Sequence, residues 1–166
     1  MIDTIKAVLE NTQNRTPMEH SITNNVTIND CANIILAAGG TAIMAQDERE
    51  VEEITSHAQA LVINMGAVRA QEAMLRAAKI AKRNGRPVVL DPVAAGASTL
   101  RREMCSRLLS ENLVSVIRGN ASEVRALAAG AEQETGVEAS ALDSVTEDKV
   151  YTVYYLANGS TAYKVQ

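Results

Sequence analysis

Three short polar clusters carry the residue types that chemistry on a charged substrate requires. They are Asn64-Met65-Gly66, Asp91-Pro92-Val93 with Gly96 close behind, and Arg118-Gly119-Asn120-Ala121-Ser122-Glu123. In the third, Asn120 suits a helix N-cap and Glu123 stands three residues later, a relative of the capping box. A helix start offers free N–H groups and a partial positive charge, which suit phosphate. Arg118 beside it would stack on a base or pair with a phosphate; the same residues also fit a plain cap next to a surface arginine. Asp91 has two readings as well: an acid at a strand end holds Mg²⁺, directly or through water, or it caps a turn. His20 with Asn24, Asn25 and Asn29 forms a further polar patch, consistent with a loop held by amide hydrogen bonds. Met44 reads as core or as a ligand wall, His57 as solvated, and Arg101-Arg102 as an exposed helix start. No G-x-x-x-x-G-K-[ST] loop, G-x-G-x-x-G turn or metal-spaced His/Cys set occurs, so P-loop, dinucleotide and zinc chemistry lack support.

These clusters need elements to carry them. Ile2, Ile5, Val8 and Leu9 recur at helical spacing and predict an opening amphipathic helix, followed by a polar loop around Pro17. Cys31 to Ala38 is apolar almost all round, with Asp30 as N-cap and Gly39-Gly40 as stop, and predicts a buried helix. A short strand at Ala42–Ala45 and a surface helix from Glu48 to Ala58 follow. The rhythm then becomes regular: strand Ala60 to Asn64, helix Arg69 to Arg83, strand Pro87 to Leu90, helix Thr99 to Leu109, strand Leu113 to Ile117, helix Ala121 to Ala129. Such alternation predicts right-handed βαβ units, an α/β fold and a mainly parallel sheet flanked by helices. Ligands of such sheets bind outside the carboxyl ends of the strands, where all three clusters fall. Residues 131–149 are acidic and read as a loop, and Tyr151–Leu156 and Thr161–Val165 flank Asn158-Gly159, a hairpin signal.

Composition bounds the possibilities. A chain of 166 residues and 17.7 kDa is the size of one domain, here taken as residues 1–166. Sixteen basic against twenty acidic residues give a net charge of −4, which leaves no positive excess for a nucleic-acid backbone. No apolar run reaches a bilayer span, and the start lacks a basic flank followed by an apolar stretch, so a cytoplasmic protein is expected. Cys31 and Cys105 are too few for a disulfide framework and read as reduced core thiols. Phe and Trp are absent and all four Tyr fall at or after Tyr151, so the core before them is built from small aliphatic side chains.

Taken together, the motifs resemble those of the hydroxyethylthiazole kinase family of thiamine biosynthesis. HSITNNVTINDCAN (His20 to Asn33) continuing to Met44 is similar to the family's opening motif. VINMG (Val62 to Gly66), VLDPVAAGASTLR (Val89 to Arg101) and IRGNASEVRAL (Ile117 to Leu127) follow in order, so the likeness spans about residues 15–130. The resemblance implies a ribokinase-like fold and a homotrimer with substrate sites between subunits. It also implies transfer of phosphate from ATP to the hydroxyl of 4-methyl-5-(2-hydroxyethyl)thiazole. Met44 would line the thiazole site, with Asn25 and Val26 nearby and Gly66 at its floor; Arg118 and Asn120 would meet ATP; Asp91 and Glu123 would organise Mg²⁺.

The family also carries a T-G…D strand for ATP and a G-T-G-C segment, whose Cys is the base and whose helix start is the anion hole. Neither is found here, and no glycine-rich context surrounds Cys31 or Cys105, so no catalytic role passes to them. A lost anion-hole donor costs about 10²–10³ in rate and a lost base about 10²–10⁴, without simple addition, so catalysis near background is expected. The alternative is a non-catalytic thiazole- or nucleotide-binding or assembly protein of the same descent. In either case Asp91, Arg118 and Glu123 are expected to converge on one rim.

Overall fold

Five strands run side by side and all parallel in the computed structural model, which describes residues 2–128, 153–154 and 163–164. Helix α1 (Ile2–Arg15) precedes β1 (Met18–Ile22); α2 (Ile28–Ala37) leads to β2 (Thr41–Ile43), and α3 (Val51–His57) to β3 (Ala60–Asn64). A 3-10 segment (Met65–Ala70) runs into α4 (Gln71–Arg83), then come β4 (Val88–Asp91), α5 (Thr99–Ser110), β5 (Val116–Ile117) and α6 (Ala121–Ala128). The strand order is β2-β1-β3-β4-β5.

That order has one reversal. The chain leaves β1 towards β2 on one side, and leaves β3 towards β4 on the other. Right-handed crossovers therefore set α2 on one face of the sheet and α3, α4 and α5 on the opposite face. The carboxyl ends of β1 and β3 mark the switch point at which ligands of open α/β sheets bind.

The face under α3–α5 is the core. Leu61, Ile63, Val88, Leu90 and Ile117 from the strands meet Ala73, Met74, Ala77, Ala81, Met104, Cys105 and Leu108 from the helices, all buried. Each large aliphatic side chain removed from water there contributes about 1.5–3 kcal/mol. The alanines of α4 let that helix lie close on the sheet. On the other face Val62, Val89 and Val116 are only partly covered.

Several expectations are corrected. Met18–Ile22, read from sequence as loop, is a strand between two others, with His20 level with Ile43 and with Leu61. Its composition, MEHSI, hides it, because His20 and Ser21 are buried polar residues. The helix expected to be buried, α2, has no buried residue; Ile34 is 67% and Leu36 55% exposed. It begins after Thr27, not at Asp30, which lies in its first turn. Helix α1 likewise leaves Ile2, Ile5, Val8 and Leu9 in solvent. Cys105 is in the core, but Cys31 is only half-buried.

Near the end of the chain β6 (Val153–Tyr154) and β7 (Tyr163–Lys164) pair antiparallel, with Tyr154 level with Tyr163, as a hairpin requires. The Asn158-Gly159 turn and the acidic 131–149 stretch lie outside the described residues. Among the described residues no helix is long and apolar enough to cross a membrane.

His20 Nε2 lies 2.9 Å from the Ala45 carbonyl, which only accepts, so the proton sits on Nε2. Its Nδ1 lies 2.8 Å from the Thr55 hydroxyl, whose one proton also has the Val51 carbonyl within 2.6 Å. Burial holds the imidazole below its ordinary pKa of 6.5, against smaller opposing effects of the Ala45 carbonyl and the Glu50 charge. The unfolded chain then binds more protons than the folded one below pH 6.5, so stability rises with pH through that window. Its contribution is complete above the unfolded value and is lost as pH falls towards the folded one. The slope from this one group cannot exceed about 1.4 kcal/mol per pH unit. Urea unfolding at acid and neutral pH is expected to show this loss in the wild type and a smaller one in His20→Gln. Equal losses in both would mean that His20 carries none of it.

Candidate functional site

Because every strand of the main sheet points the same way, the residues that follow β1 to β5 share one rim. Two groups of polar side chains stand on it. The first lies at the switch point. Asn24 closes the turn after β1, its Oδ1 accepting from the Val26 and Thr27 amides at 3.0 and 3.1 Å. That turn exposes Asn25 and leaves Val26 90% exposed. After β3, Gly66 packs so closely on this turn that an added Cβ would lie 2.8 Å from Asn24 Cβ and 2.6 Å from Asn64 Oδ1. Only glycine fits there. Met44 follows β2 and is half-buried, and beside it Gln46 Nε2 donates to the Thr23 carbonyl at 2.5 Å. Asn25, Val26, Met44 and Gly66 thus belong to adjoining turns at the carboxyl ends of β1, β2 and β3.

The second group lies after β4 and β5. Arg118 Nη1 donates to Asp91 Oδ2 at 2.9 Å. Glu123 and Asn120 form a complete capping box: Asn120 Oδ1 accepts from the Glu123 amide and Glu123 Oε2 from the Asn120 amide, both at 2.9 Å. The capping role open to these residues is therefore realised. Glu123 also turns towards the Asp91 loop, with Oε1 3.4 Å from the Ala94 amide. Gly119 allows this approach, since a Cβ there would stand 3.1 Å from Glu123 Oε2 and 3.2 Å from Pro92 Cγ. Asp91, Arg118 and Glu123 converge as expected.

Asn64 joins the two groups. It is level with Asp91 in the β3–β4 register, and its Nδ2 donates to Asp91 Oδ2 at 3.0 Å. Its Oδ1 accepts from the Gly66 amide at 2.7 Å. Sequence reading placed Asn64 in a cluster but gave it no role; a polar residue closing an apolar strand run was the available signal. Ala94 was missed altogether. It is a non-glycine residue with φ +56°, in the left-handed region, which costs an alanine about 1–2 kcal/mol. Nothing in its residue type announces that.

The electrostatics follow from this geometry. Burial pushes the Asp91 carboxyl above its ordinary pKa of 3.8, and the nearby Glu123 charge adds to it; the Arg118 charge and hydrogen bond and the Asn64 amide pull the other way. Both hydrogen bonds to Asp91 go to Oδ2, and Oδ1 takes part in neither. Arg118 has 74% of its side chain in solvent, so its guanidinium is free to swing towards an incoming anion. Among the described residues no three His, Cys, Asp or Glu side chains form a metal cage. Two neighbouring carboxylates still suit Mg²⁺, which keeps several waters and takes one or two carboxylates together with substrate phosphates. Cys105 is no nucleophile here, since burial pushes its thiol up to about 12.

Known proteins share this sequence and this fold. Residues 9–160 match the hydroxyethylthiazole kinase family. A hydroxyethylthiazole kinase of Clostridium acetobutylicum is 48% identical over 157 residues, which are 93% of this chain and 58% of that protein. One of Desulfovibrio desulfuricans is 50% identical over 145 residues, 86% of this chain and 51% of its own length. The structure of hydroxyethylthiazole kinase protein from Pyrococcus horikoshii OT3 superposes with a TM-score of 0.71 at 41% identity, covering 76% of this chain and 50% of that one. The chain thus spans a little over half the length of these curated relatives. With its matched residues, its five-stranded parallel sheet and a rim bearing the motifs in order, the chain belongs to the hydroxyethylthiazole kinase family.

Proposed function

We propose that this chain takes part in phosphorylating 4-methyl-5-(2-hydroxyethyl)thiazole with ATP, in thiamine biosynthesis or salvage. The observation that carries the reading is the joining of the closely packed turns after β1 and β3 to an arginine-and-acid rim through the single side chain of Asn64. The thiazole ring lies against Met44 and Val26, with Asn25 at its edge and Gly66 at its floor. The nucleotide's phosphates meet Arg118 and the Asn120 helix start. Asp91 and Glu123 hold Mg²⁺, which would neutralise charge on the transferring phosphate.

The chemistry asked of these residues is mostly positioning. The alcohol oxygen forms a bond to the γ-phosphorus, the bond to the β–γ bridging oxygen breaks, and ADP leaves with that electron pair. The alcohol's proton leaves to solvent, since neither Cys31 nor Cys105 stands in a glycine-rich context and burial raises the Cys105 thiol. What these residues contribute is binding, orientation and charge compensation.

A homotrimer with sites between subunits is the assembly we propose. It is supported by the apolar side chains that α1, α2 and the turn before α2 leave in solvent: Ile5, Val8, Val26, Ile34 and Leu36 are each more than half exposed. The cytoplasm, where free thiols persist, is the compartment that fits Cys31 and Cys105.

Three measurements test the reading. Calorimetry of the 166-residue chain is expected to show the thiazole alcohol and Mg²⁺-ATP binding independently. Gly66→Ala should abolish the first and also weaken the second, since its Cβ displaces the Asn64 side chain that orients Asp91. Arg118→Gln should weaken ATP about tenfold, as expected for a charge-assisted hydrogen bond, and spare the alcohol. Heat from neither ligand sinks the reading, and binding of both without ADP release favours the non-catalytic alternative. Asp91→Asn should leave stability equal or higher at pH 7, because it removes a partly buried charge, while ATP binding loses its response to Mg²⁺. A destabilised variant with an intact Mg²⁺ response would contradict the metal role. Sedimentation should give three copies, and Ile34→Asp should yield monomers with weakened thiazole binding; a monomeric wild type disposes of the trimer.

A further inference from the structure

A buried imidazole on a strand is costly unless its polar atoms are satisfied. His20 is fully buried on β1, level with aliphatic Ile43 and Leu61. An apolar side chain at this position would complete the core without that cost. The imidazole instead reaches out of the sheet to the segment that follows β2.

That segment has little else to fix it. Strand β2 is three residues long, lies at the sheet edge and pairs only with β1, ending at Ile43. Residues 44–46 continue past the last paired position. Two side-chain bonds tie them back to the β1 end: His20 Nε2 to the Ala45 carbonyl at 2.9 Å and Gln46 Nε2 to the Thr23 carbonyl at 2.5 Å. The His20 ring is itself held through Nδ1 by Thr55 of α3. A chain of contacts therefore runs from α3 through the sheet to the backbone next to Met44.

We propose that His20 is a positioning residue for substrate recognition: it sets the backbone of residues 44–46 and so holds Met44 against the thiazole ring. The assignment rests on the thiazole reading given above. His20 does not touch the substrate; it acts through the Ala45 carbonyl. Specificity for the ring then depends on a hydrogen bond donated from within the core.

Two amide variants separate the halves of the imidazole. In His20→Gln the terminal NH₂ falls near the position of Nε2 and can still donate to Ala45. In His20→Asn the side chain ends near Nδ1, so Thr55 is within reach and the Ala45 carbonyl loses its donor. Hydrogen exchange on the whole chain is expected to show the amides of residues 44–47 opening about tenfold faster in His20→Asn, with the Ile63 amide unchanged. The thiazole alcohol should bind about tenfold more weakly in the same variant, and Mg²⁺-ATP equally well. His20→Gln should restore both exchange and thiazole affinity to within about threefold of the wild type. If His20→Asn fails to fold, Thr55→Val removes only the hydroxyl that anchors Nδ1 and should give the same pattern at reduced size. Unaltered exchange at 44–47, or equal effects of the two amide variants, overturns the assignment whatever the ligand does. A wild type that ignores the alcohol overturns the thiazole reading instead, and the exchange ordering still decides whether His20 sets this backbone.

Discussion

One carboxamide holds the functional rim together. Asn64 stands at the end of the central strand β3 with both its polar atoms engaged, Oδ1 with the Gly66 amide and Nδ2 with the Asp91 carboxylate. The first bond fixes the turn after β3 at the switch point; the second orients the acid on the neighbouring strand. Neither aspartate nor leucine would serve both ends, since one lacks a donor and the other lacks any polar atom. The parallel register that sets Asn64 level with Asp91 makes the bridge possible, and the apolar run before it fixes that register through buried Leu61 and Ile63.

Charge on this rim is balanced rather than neutralised. Asp91 is drawn towards protonation by burial and by Glu123, and towards ionisation by Arg118 and Asn64. A group under such opposed influences responds strongly to a newcomer. A cation arriving beside the two acids, or an anion drawing Arg118 away, changes the balance at once, whereas the capping box keeps Glu123 in place. Under the proposed function, this lets the rim be preorganised for a highly charged ligand while being stable without it.

The parts of the fold that were legible from sequence share a physical cause. Strand β3 and helices α4 and α5 are long, periodic and packed on one another, so local pattern and tertiary burial agree; the strand spans Ala60–Asn64 as expected, and α5 differs from expectation by a single residue. The convergence of Asp91, Arg118 and Glu123 was legible for the same reason, since strand direction fixes which ends share a rim. Strand β1 was not legible because two of its three buried positions are filled by His20 and Ser21, which hydrogen bonding rather than hydrophobicity keeps inside. Helix α2 misled in the opposite sense: its apolar surface is real, but the described residues cover it only in part and leave Ile34 and Leu36 exposed. A pattern of residues reports that a surface avoids water, not which molecule shields it.

The left-handed backbone at Ala94 narrows what natural variation can place there. Glycine relieves the conformation and asparagine tolerates it, whereas valine, isoleucine and threonine would force the loop to another path and carry the Ala94 amide away from Glu123. Drift at this position should therefore stay within a few small residues even where the surrounding loop diverges, an imprint of geometry on ancestry that no side-chain chemistry would explain.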